Sequence, residues 1–548
     1  MSERTGHVDT FCRDALPPTS LWPEMRYDRI HELEYPARLN CAAELLDRMV
    51  EQGHADRTVF HFPEGRWTYA QLLEHANQLA HVLVDDLGLE PGNRVLLRGY
   101  NGPRMAALWF AILKAGGVVV CTMPMLRSRE LTFTADKARI TLALTDDRIA
   151  GDCALAMKTT AAGAPRLGGR CVSFGSEGEG TLDRLMRNKP TTFENCDTAA
   201  DDVALIAFTS GTTGEGKGTM HFHRDVLAIC DCFRRYVLEP NADDMFCGSP
   251  PFAFTYGLGG LVLFPMRIGA SALLLEQATP PQLLAGIEKF RPTITFTAPT
   301  AYRAILGLLK EKGGDVSSLR KCVSAGEALP LATFEAWHGA TGIRIIDGIG
   351  ATEMLHIFIS ASGKDIRPGS TGKVVPGYEA QVQDDEGKAV SDGTIGKLAV
   401  RGPTGCRYLD NLERQRAYVR NGWNLTGDSY IRDKECYYWY QARTDDMIIS
   451  AGYNISGPEV ENVLLLHPKV KECAVVGLPD EERGQAVSAF IVLREGVSAS
   501  GELVKDLQSF VKKEIAPYKY PRRVQFVSEL PRTATGKLQR FRLREASA

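Results

Sequence analysis

The segment with the clearest potential for chemistry is a glycine-rich stretch of ten residues, Thr209-Ser210-Gly211-Thr212-Thr213-Gly214-Glu215-Gly216-Lys217-Gly218. It follows an apolar run at 203–208 that is predicted to be a buried strand. Its main-chain N–H groups, its hydroxyls and the Lys217 ammonium can all donate to an anionic ligand. Phosphate is therefore the expected ligand, and a flexible surface turn is the alternative.

The same stretch satisfies the P-loop pattern G-x-x-x-x-G-K between Gly211 and Lys217, which would indicate a kinase or an NTPase. A P-loop needs Ser or Thr after the lysine to bind magnesium, whereas Gly218 has no side chain. The loop can still hold phosphates, but a magnesium ligand then has to come from elsewhere in the chain.

A second candidate, Asp347-Gly348-Ile349-Gly350-Ala351-Thr352-Glu353, is predicted to be a glycine-rich turn after a short strand at 343–346, and it ends in a hydroxyl and a carboxylate. Taken alone, such a Thr-Glu pair is more often a helix N-cap and its first-turn acid. A third candidate, Ser324-Ala325-Gly326-Glu327-Ala328, follows another predicted strand. Its small residues allow a flat heterocycle to approach the main chain.

Four further segments with polar groups follow in the last third of the chain, and three of them contain glycine: Thr426-Gly427-Asp428, Arg443-Thr444-Asp445-Asp446, Ser450-Ala451-Gly452-Tyr453-Asn454-Ile455 and Pro531-Arg532-Thr533-Ala534-Thr535-Gly536-Lys537. Taken singly, each has an ordinary explanation as a turn residue, a solvated charge or an exposed lysine. Taken together, in their order along the chain, the seven segments are a more specific signal of function than any one of them.

Alternating strands and helices surround these segments and must position them. A capping box of Thr68 and Gln71 starts an amphipathic helix, and a strand at Arg94–Arg98, a helix at 103–115 and a strand at 118–121 follow. Further buried strands are predicted at 203–208, 272–275, 294–297, 321–324 and 343–346, and helices at 225–236, 281–290 and 301–310. This alternation predicts a parallel, doubly wound α/β body.

The pattern of predicted secondary structure changes twice towards the C-terminus. Beyond residue 377, alternating β-like stretches predict a β-rich subdomain at about 377–445. The last hundred residues offer helices at 458–466 and 503–514 and strands at 473–476 and 489–493. We therefore expect an α/β fold with a large N-terminal domain at 1–445, which contains the β-rich subdomain, and a small α+β C-terminal domain at 446–548.

Composition excludes several classes of protein. The chain has 548 residues, of which 44% are hydrophobic, and its 64 Lys and Arg against 67 Asp and Glu give a net charge of −3. Nucleic acid and lipid headgroups are therefore not expected partners. Thirteen scattered cysteines without a C-x-x-C pair argue against disulfides and structural zinc. With neither a signal peptide nor a membrane segment evident, a cytoplasmic protein is expected, as a monomer or a homodimer.

In their order, the seven segments resemble those of the adenylate-forming superfamily, which includes acyl- and aryl-CoA ligases, nonribosomal adenylation domains and luciferases. The resemblance extends from about residue 68 to residue 540. Within the superfamily, the chain looks most like the aryl-CoA ligases of benzoate and 2-aminobenzoate. The resemblance implies ATP, Mg²⁺ and coenzyme A as cofactors, and an aromatic carboxylate as the substrate.

The resemblance also implies roles for single residues. Thr352 would contact the α-phosphate, Glu353 would bind magnesium, and Lys537 would be the catalytic cation of adenylation. Asp445 would be the hinge about which a mobile C-terminal domain turns, so that Gly452 and Tyr453 line the path of the CoA thiol arm. The implied nucleotide contacts are Thr209, Ser210, Gly211, Thr212, Thr213, Gly214, Lys217, Ala325, Gly326, Glu327, Asp347, Gly348, Ile349, Asp428 and Arg443.

The acyl pocket is expected around Phe252-Ala253-Phe254-Thr255-Tyr256-Gly257-Leu258-Gly259, where rings alternate with small residues and favour a short flat slot. Its implied substrate contacts are Phe254, Thr255, Tyr256, Gly257, Gly350, His356 and Ile357. The expected reaction makes acyl-AMP from 2-aminobenzoate, or next from benzoate, and transfers the acyl group to CoA. Loading of a carrier protein and activation of a medium-chain fatty acid are the alternatives.

Overall fold

The structure is a computed structural model that describes residues 4–209, 216–450, 453–480, 483–532 and 538–545. Its strands, in chain order, are β1 Thr58–Phe62, β2 Gly65–Thr68, β3 Arg94–Arg98, β4 Val118–Thr122, β5 Leu142–Asp146, β6 Arg170–Phe174, β7 Val203–Thr209, β8 Lys217–Phe222, β9 Met245–Gly248, β10 Ser271–Leu273, β11 Ile294–Thr297, β12 Lys321–Ser324, β13 Ile346–Gly350, β14 Ile357–Ser360, β15 Lys373–Val374, β16 Glu379–Gln383, β17 Gly396–Arg401, β18 Val419–Arg420, β19 Trp423–Arg432, β20 Tyr438–Arg443, β21 Ile448–Ser450, β22 Tyr453–Ile455, β23 Val470–Asp480, β24 Gly484–Leu493 and β25 Arg523–Phe526.

The α-helices, in chain order, are α1 Phe11–Asp14, α2 Tyr69–His81, α3 Pro103–Lys114, α4 Ser128–Lys137, α5 Ala150–Lys158, α6 Leu182–Leu185, α7 His223–Ile229, α8 Thr255–Leu258, α9 Phe264–Met266, α10 Pro280–Phe290, α11 Pro299–Lys312, α12 Leu331–Thr341, α13 Leu412–Tyr418, α14 Gly457–Leu466, α15 Gly501–Glu514 and α16 Arg540–Glu545. Wider π-type turns extend several of them, for example Cys230–Leu238 after α7 and Gly259–Leu263 after α8. No helix within the described residues combines the length and the apolar character needed to cross a membrane.

Two large sheets form the N-terminal body. One has the strand order β6-β5-β3-β4-β7-β8, and the other has the order β15-β14-β13-β12-β11-β9-β10-β1-β2. Their central strands are parallel, and helices connect many of them. Two smaller sheets follow: the mainly antiparallel β16-β17-β19-β18 with β20, and β22-β21-β24-β23 with β25. The predicted α/β fold with a β-rich part and a small α+β unit is confirmed, whereas the exact domain boundaries stay a prediction.

Local sequence signals placed several elements correctly. The Thr68 hydroxyl accepts a hydrogen bond from the Gln71 main-chain N at 3.2 Å, and the Gln71 side chain accepts one from the Thr68 N at 2.9 Å. This capping box begins α2 at Tyr69, as predicted. Strands β3, β11 and β12 have the predicted bounds.

The strand predicted at 343–346 is wrong in position, because β13 runs from Ile346 to Gly350. Its pairing with β12 starts at Val323 opposite Ile346, so the strand can begin only there. The glycine-rich segment is therefore a strand and not a turn. Gly348 is required by packing, since a Cβ there would lie 2.8 Å from the Ile357 Cγ2 atom on β14.

The small C-terminal sheet has its own apolar core, to which Ile448, Val475 and Leu507 contribute. Its strands β23 and β24 extend well beyond the predicted 473–476 and 489–493, because the two segments pair as one long antiparallel hairpin. Helices α14 and α15 agree with prediction to within two residues at their starts.

Candidate active site

The ends of the glycine-rich loop are held together by strand pairing. Thr209 at the end of β7 lies opposite Lys217 at the start of β8. The predicted phosphate contacts between them, Ser210, Gly211, Thr212, Thr213 and Gly214, lie outside the described residues. Burial and the nearby Arg414 lower the pKa of Lys217, whereas the Glu353 carboxylate raises it. Lys217, which lies opposite Thr209, is therefore close enough to Glu353 for the two charges to interact.

Thr352 and Glu353 form a single 3-10 turn, Thr352–Met354, directly after β13. The Tyr408 hydroxyl donates to the Glu353 Oε1 atom at 2.6 Å, and the His221 Nε2 atom lies 2.8 Å from the Thr352 carbonyl oxygen. Neither Tyr408 nor His221 was predicted from the sequence as part of the site, because neither lies in a glycine-rich segment.

The donor set suits magnesium. Among the described residues, no group of three or more His, Cys, Asp or Glu could enclose a metal ion. Glu353 would therefore serve as a single carboxylate ligand. Magnesium is commonly bound in this way, by one or two carboxylates with substrate phosphates and water completing the coordination. The Tyr408 hydrogen bond leaves the other oxygen of Glu353 available for a cation.

The segments predicted to surround adenine lie side by side. Ala325, Gly326 and Glu327 follow β12, and Ser324 pairs with Asp347 on β13. Gly326 has a φ of +91°, which favours glycine. Burial raises the pKa of Asp347 to about 8, and its Oδ1 atom is buried without a hydrogen-bond partner among the described residues. This acceptor can take a donor from a bound heterocycle.

Asp428 and Arg443 are neighbours across β19 and β20. The Arg443 Nη1 atom donates to the Asp428 Oδ1 atom at 3.0 Å, and the buried Asp428 carboxylate raises the pKa of Arg443. Gly427 between Thr426 and Asp428 has a φ of +78°. The structure thus brings the two residues predicted to contact ribose together as one ion pair, in which Asp428 is buried and Arg443 is partly exposed.

The C-terminal sheet approaches the adenine segment through Arg532, which forms an ion pair with Glu327 at 3.8 Å. Arg532 also pairs with Leu538 in a β-bridge. The predicted catalytic Lys537 falls between these two residues in the sequence and lies outside the described residues. Gly452 also lies outside the described residues. Asp445 lies in the 3-10 turn Thr444–Asp446 that connects the two smaller sheets.

Tyr453 is 55% exposed on the C-terminal sheet, where its ring stacks on Tyr518 with the ring centres 4.6 Å apart. Within the described contacts, the structure does not bring Tyr453 to the nucleotide segments. Its predicted role depends on a second orientation of the C-terminal domain.

His356 and Tyr256, two residues predicted to line the acyl pocket, pack together with aromatic rings from separate segments. His356 is buried, and its ring centre lies 4.6 Å from that of Phe264, 5.5 Å from Phe233 and 5.7 Å from Tyr256. Burial lowers the pKa of His356 to about 3, so the ring is neutral at pH 7. Phe233 and Phe264 were not predicted as pocket residues, because they lie in helices whose apolar pattern only indicates a core.

Two glycines of this region are explained by packing. A Cβ on Gly257 would lie 2.2 Å from the Pro251 carbonyl oxygen, and one on Gly350 would lie 2.8 Å from the His356 carbonyl carbon. Tyr256 donates from its hydroxyl to the Val323 carbonyl oxygen at 3.1 Å, which ties α8 to β12. Phe254 and Thr255 at the start of α8 are half-buried, and Ile357 on β14 is buried against Gly348.

The geometry agrees with what comparison with known proteins finds. Residues 46–408 match the AMP-binding enzyme family, and residues 459–537 match the AMP-binding enzyme C-terminal domain. The chain is 35% identical to the benzoate–CoA ligase of Thauera aromatica over 94% of its own length and 97% of that protein. It is 31% identical to the acyl-coenzyme A synthetase ACSM3 of Mus musculus, over 97% of its length and 94% of that protein.

Solved structures show the same relationship. An anthranilate CoA ligase, AuaEII, crystallised in complex with anthranoyl-AMP, superposes with a TM-score of 0.88 at 36% identity, covering 94% of this chain and 99% of that one. A benzoate CoA ligase from Burkholderia xenovorans LB400 gives a TM-score of 0.84 at 32% identity, covering 92% and 100%. The chain therefore belongs to the AMP-binding enzyme family, the adenylate-forming superfamily, and within it to the aryl-CoA ligase branch.

Proposed function

We propose that this enzyme is an AMP-forming aryl-CoA ligase that activates 2-aminobenzoate or, next in preference, benzoate. The observation that carries the proposal is the cluster of aromatic rings around His356, which lies only three residues along the chain from Glu353. The rings of Tyr256, Phe233 and Phe264 pack around His356. An aromatic surrounding of this kind suits a flat ring. The similarity to benzoate and anthranilate CoA ligases supports the same choice.

ATP, Mg²⁺ and coenzyme A, the predicted cofactors, are those of the family. In the first half-reaction, a carboxylate oxygen of the acid attacks the α-phosphorus of ATP, the bond to the β-phosphate oxygen breaks, and pyrophosphate leaves. Thr352 would contact the α-phosphate, and the glycine-rich loop would hold the other phosphates. Magnesium bound at Glu353 would neutralise charge on the phosphates. Preorganised charge of this kind contributes about 10²–10³ in rate for each group.

In the second half-reaction, the CoA thiolate attacks the carbonyl carbon of the acyl adenylate, and AMP leaves. We propose that the C-terminal domain turns about Asp445 between the two steps, so that Gly452 and Tyr453 replace Lys537 at the acyl group. The exposed position of Tyr453 and the ion pair between Arg532 and Glu327 support an orientation that belongs to the first step.

Acid-dependent exchange of labelled pyrophosphate into ATP tests the proposal. The panel is 2-aminobenzoate, benzoate, salicylate and octanoate, each followed by an assay of thioester formation with CoA and with an acyl carrier protein. We expect kcat/KM to be highest for 2-aminobenzoate and at least about tenfold lower for octanoate, because aromatic surroundings suit a flat ring better than an alkyl tail. A preference for octanoate, or transfer to the carrier protein alone, would overturn the assignment.

The substitution Gly259→Ala is expected to impair recognition of the acid. A Cβ at this position would lie 2.4 Å from the His356 Cδ2 atom, so the imidazole has to shift. We expect the KM for the aromatic acid to rise about tenfold, the cost of a methyl-sized misfit, and the KM for ATP to stay within twofold. Steady-state kinetics with each substrate varied in turn measure both constants.

Gly307→Ala in α11 is the matched control for this substitution, because a Cβ there meets nothing within 4 Å. It should leave both KM values unchanged. An equal rise in the KM for ATP and in the KM for the acid in Gly259→Ala would mean that the pocket lies elsewhere.

A further inference from the structure

The turn that carries Thr352 and Glu353 has an unusual backbone. It is followed by Leu355, which has a φ of +68° and a ψ of −33° and is fully buried. A side chain larger than glycine is disfavoured in this region, and such a conformation persists only when the surroundings impose it. The direction in which Thr352 and Glu353 point is therefore not fixed by the local sequence.

Hydrogen bonds from outside the turn impose this conformation. The Thr404 hydroxyl donates to the Met354 carbonyl oxygen at 2.8 Å, and the Tyr408 hydroxyl donates to the Glu353 carboxylate at 2.6 Å. On the other side, the His221 Nε2 atom is 2.8 Å from the Thr352 carbonyl oxygen. Two main-chain carbonyl groups of the turn and the Glu353 carboxylate are thus each held by a separate side chain.

The residues that hold the turn belong to the same unit as the phosphate loop. His221 lies on β8, the strand that begins at Lys217. The segment of Tyr408 pairs with this strand, since the Met220 N donates to the Arg407 carbonyl oxygen at 2.8 Å and the Leu409 N donates to the Gly218 carbonyl oxygen at 2.9 Å. Strand β8, at the end of the glycine-rich loop, and the Thr352–Glu353 turn are therefore connected by hydrogen bonds.

The chemistry of His221 suits this position. The ring is fully buried, and burial lowers the pKa of His221 to about 4 even though Asp225 opposes the shift, so the imidazole is uncharged at pH 7. Because its contact is a carbonyl oxygen, the ring hydrogen has to be on Nε2. The Asp225 carboxylate is 3.9 Å from Nδ1, too far for a hydrogen bond, and is paired with Arg407.

We propose that His221 and Tyr408 are positioning residues of the adenylation half-reaction, which hold the turn so that the Thr352 hydroxyl and the Glu353 carboxylate face the triphosphate and its magnesium ion. The inference rests on the proposed function, since it takes the roles of Thr352 and Glu353 from it. The contacts that His221 and Tyr408 make are to the turn, so both are taken to act through it.

A pair of substitutions of similar shape isolates the contribution of His221. Gln carries an amide donor near the position of Nε2, whereas Met fills the same space without a donor. We expect His221→Met to lower pyrophosphate exchange about thirtyfold and to raise the magnesium concentration for half-maximal rate about fivefold, and His221→Gln to recover most of both losses. Thioester formation from supplied aroyl-AMP should fall by a much smaller factor in both variants, because that step needs neither pyrophosphate nor its metal ion and keeps only the Thr352 contact to the α-phosphate.

Tyr408→Phe removes a single oxygen atom and tests the second positioning residue. It should raise the magnesium requirement about fivefold, since the Glu353 carboxylate loses its donor. Tyr69→Phe is the matched control: Tyr69 is also buried, and its hydroxyl donates to the Ala270 carbonyl oxygen at 2.7 Å. This control should lower the melting temperature without changing the magnesium requirement.

Equal impairment of His221→Gln and His221→Met, or parallel losses in both half-reactions, would overturn the inference and leave these residues a purely structural role. Should His221→Met fail to fold, Tyr408→Phe decides the question. A wild-type enzyme without any acid-dependent exchange would overturn the proposed function and this inference together, whereas an active wild type with unaltered variants would overturn the inference alone.

Discussion

Lys537→Ala is expected to abolish adenylate formation while sparing thioester formation. In the proposed mechanism, Lys537 supplies the last positive charge to the α-phosphate during attack by the carboxylate, and its loss should lower pyrophosphate exchange about 10²–10³-fold. The rate of thioester formation from supplied aroyl-AMP should stay within threefold, because the C-terminal domain has then turned away. Single-turnover assays of the two half-reactions measure the separation.

The contacts of Arg532, which precedes Lys537 in the sequence, support this separation. Arg532, five residues before it, contacts Glu327 of the adenine segment and also pairs with Glu472 of the C-terminal sheet at 3.0 Å. Lys505→Ala on α15 provides a control, because this lysine is exposed in the same domain. Equal losses in both half-reactions would contradict a domain rotation, and an unaltered exchange rate would contradict the catalytic role.

The second large effect is expected from Arg407→Met, this time on stability. The Arg407 Nη1 atom is 2.8 Å from the Asp225 Oδ2 atom, and both side chains are fully buried. The guanidinium also lies over the ring of Phe222, 4.0 Å from its centre. Removing one partner leaves a buried charge uncompensated, so the free energy of unfolding should fall by about 3–5 kcal/mol. Urea titration followed by fluorescence measures this loss.

Two further variants test whether the buried charge is the cause. The double variant Arg407→Met with Asp225→Asn should be more stable than Arg407→Met alone, because the carboxylate has been neutralised while the side chain still accepts from the Phe222 N. Arg432→Met breaks the surface pair with Asp392 and should cost no more than about 1 kcal/mol. A loss of similar size in both single variants would contradict the explanation.

Local signals in the sequence were sufficient for several elements. The capping box at Thr68 fixed the start of α2, since both of its hydrogen bonds lie within four residues. The strands β11 and β12 could be bounded because buried parallel strands are short apolar runs. The strand β13 could not, because its start depends on pairing with Val323 and its glycines on the packing of Ile357.

For the candidate site too, part could be predicted from the sequence and part could not. The motif segments that bear Thr352, Glu353, Asp428 and Arg443 could be recognised from residue types and order. Their support could not: His221 resembles an ordinary core histidine, and Tyr408 an ordinary aromatic residue, until β8 and the segment after β17 are seen beside the turn. A hydrogen bond between residues more than fifty positions apart leaves no trace in either local sequence.

The sequence by itself determined the alternation of helices and strands and the family, and it predicted the residues that contact ATP, because these follow from periodicity and from short contiguous motifs. Only the tertiary structure decided that Asp428 and Arg443 form one ion pair, that rings from distant helices enclose His356, and that a strained turn is held by His221 and Tyr408. The physical reason is that such contacts depend on which strands and helices pack against each other, and packing is a property of the whole chain.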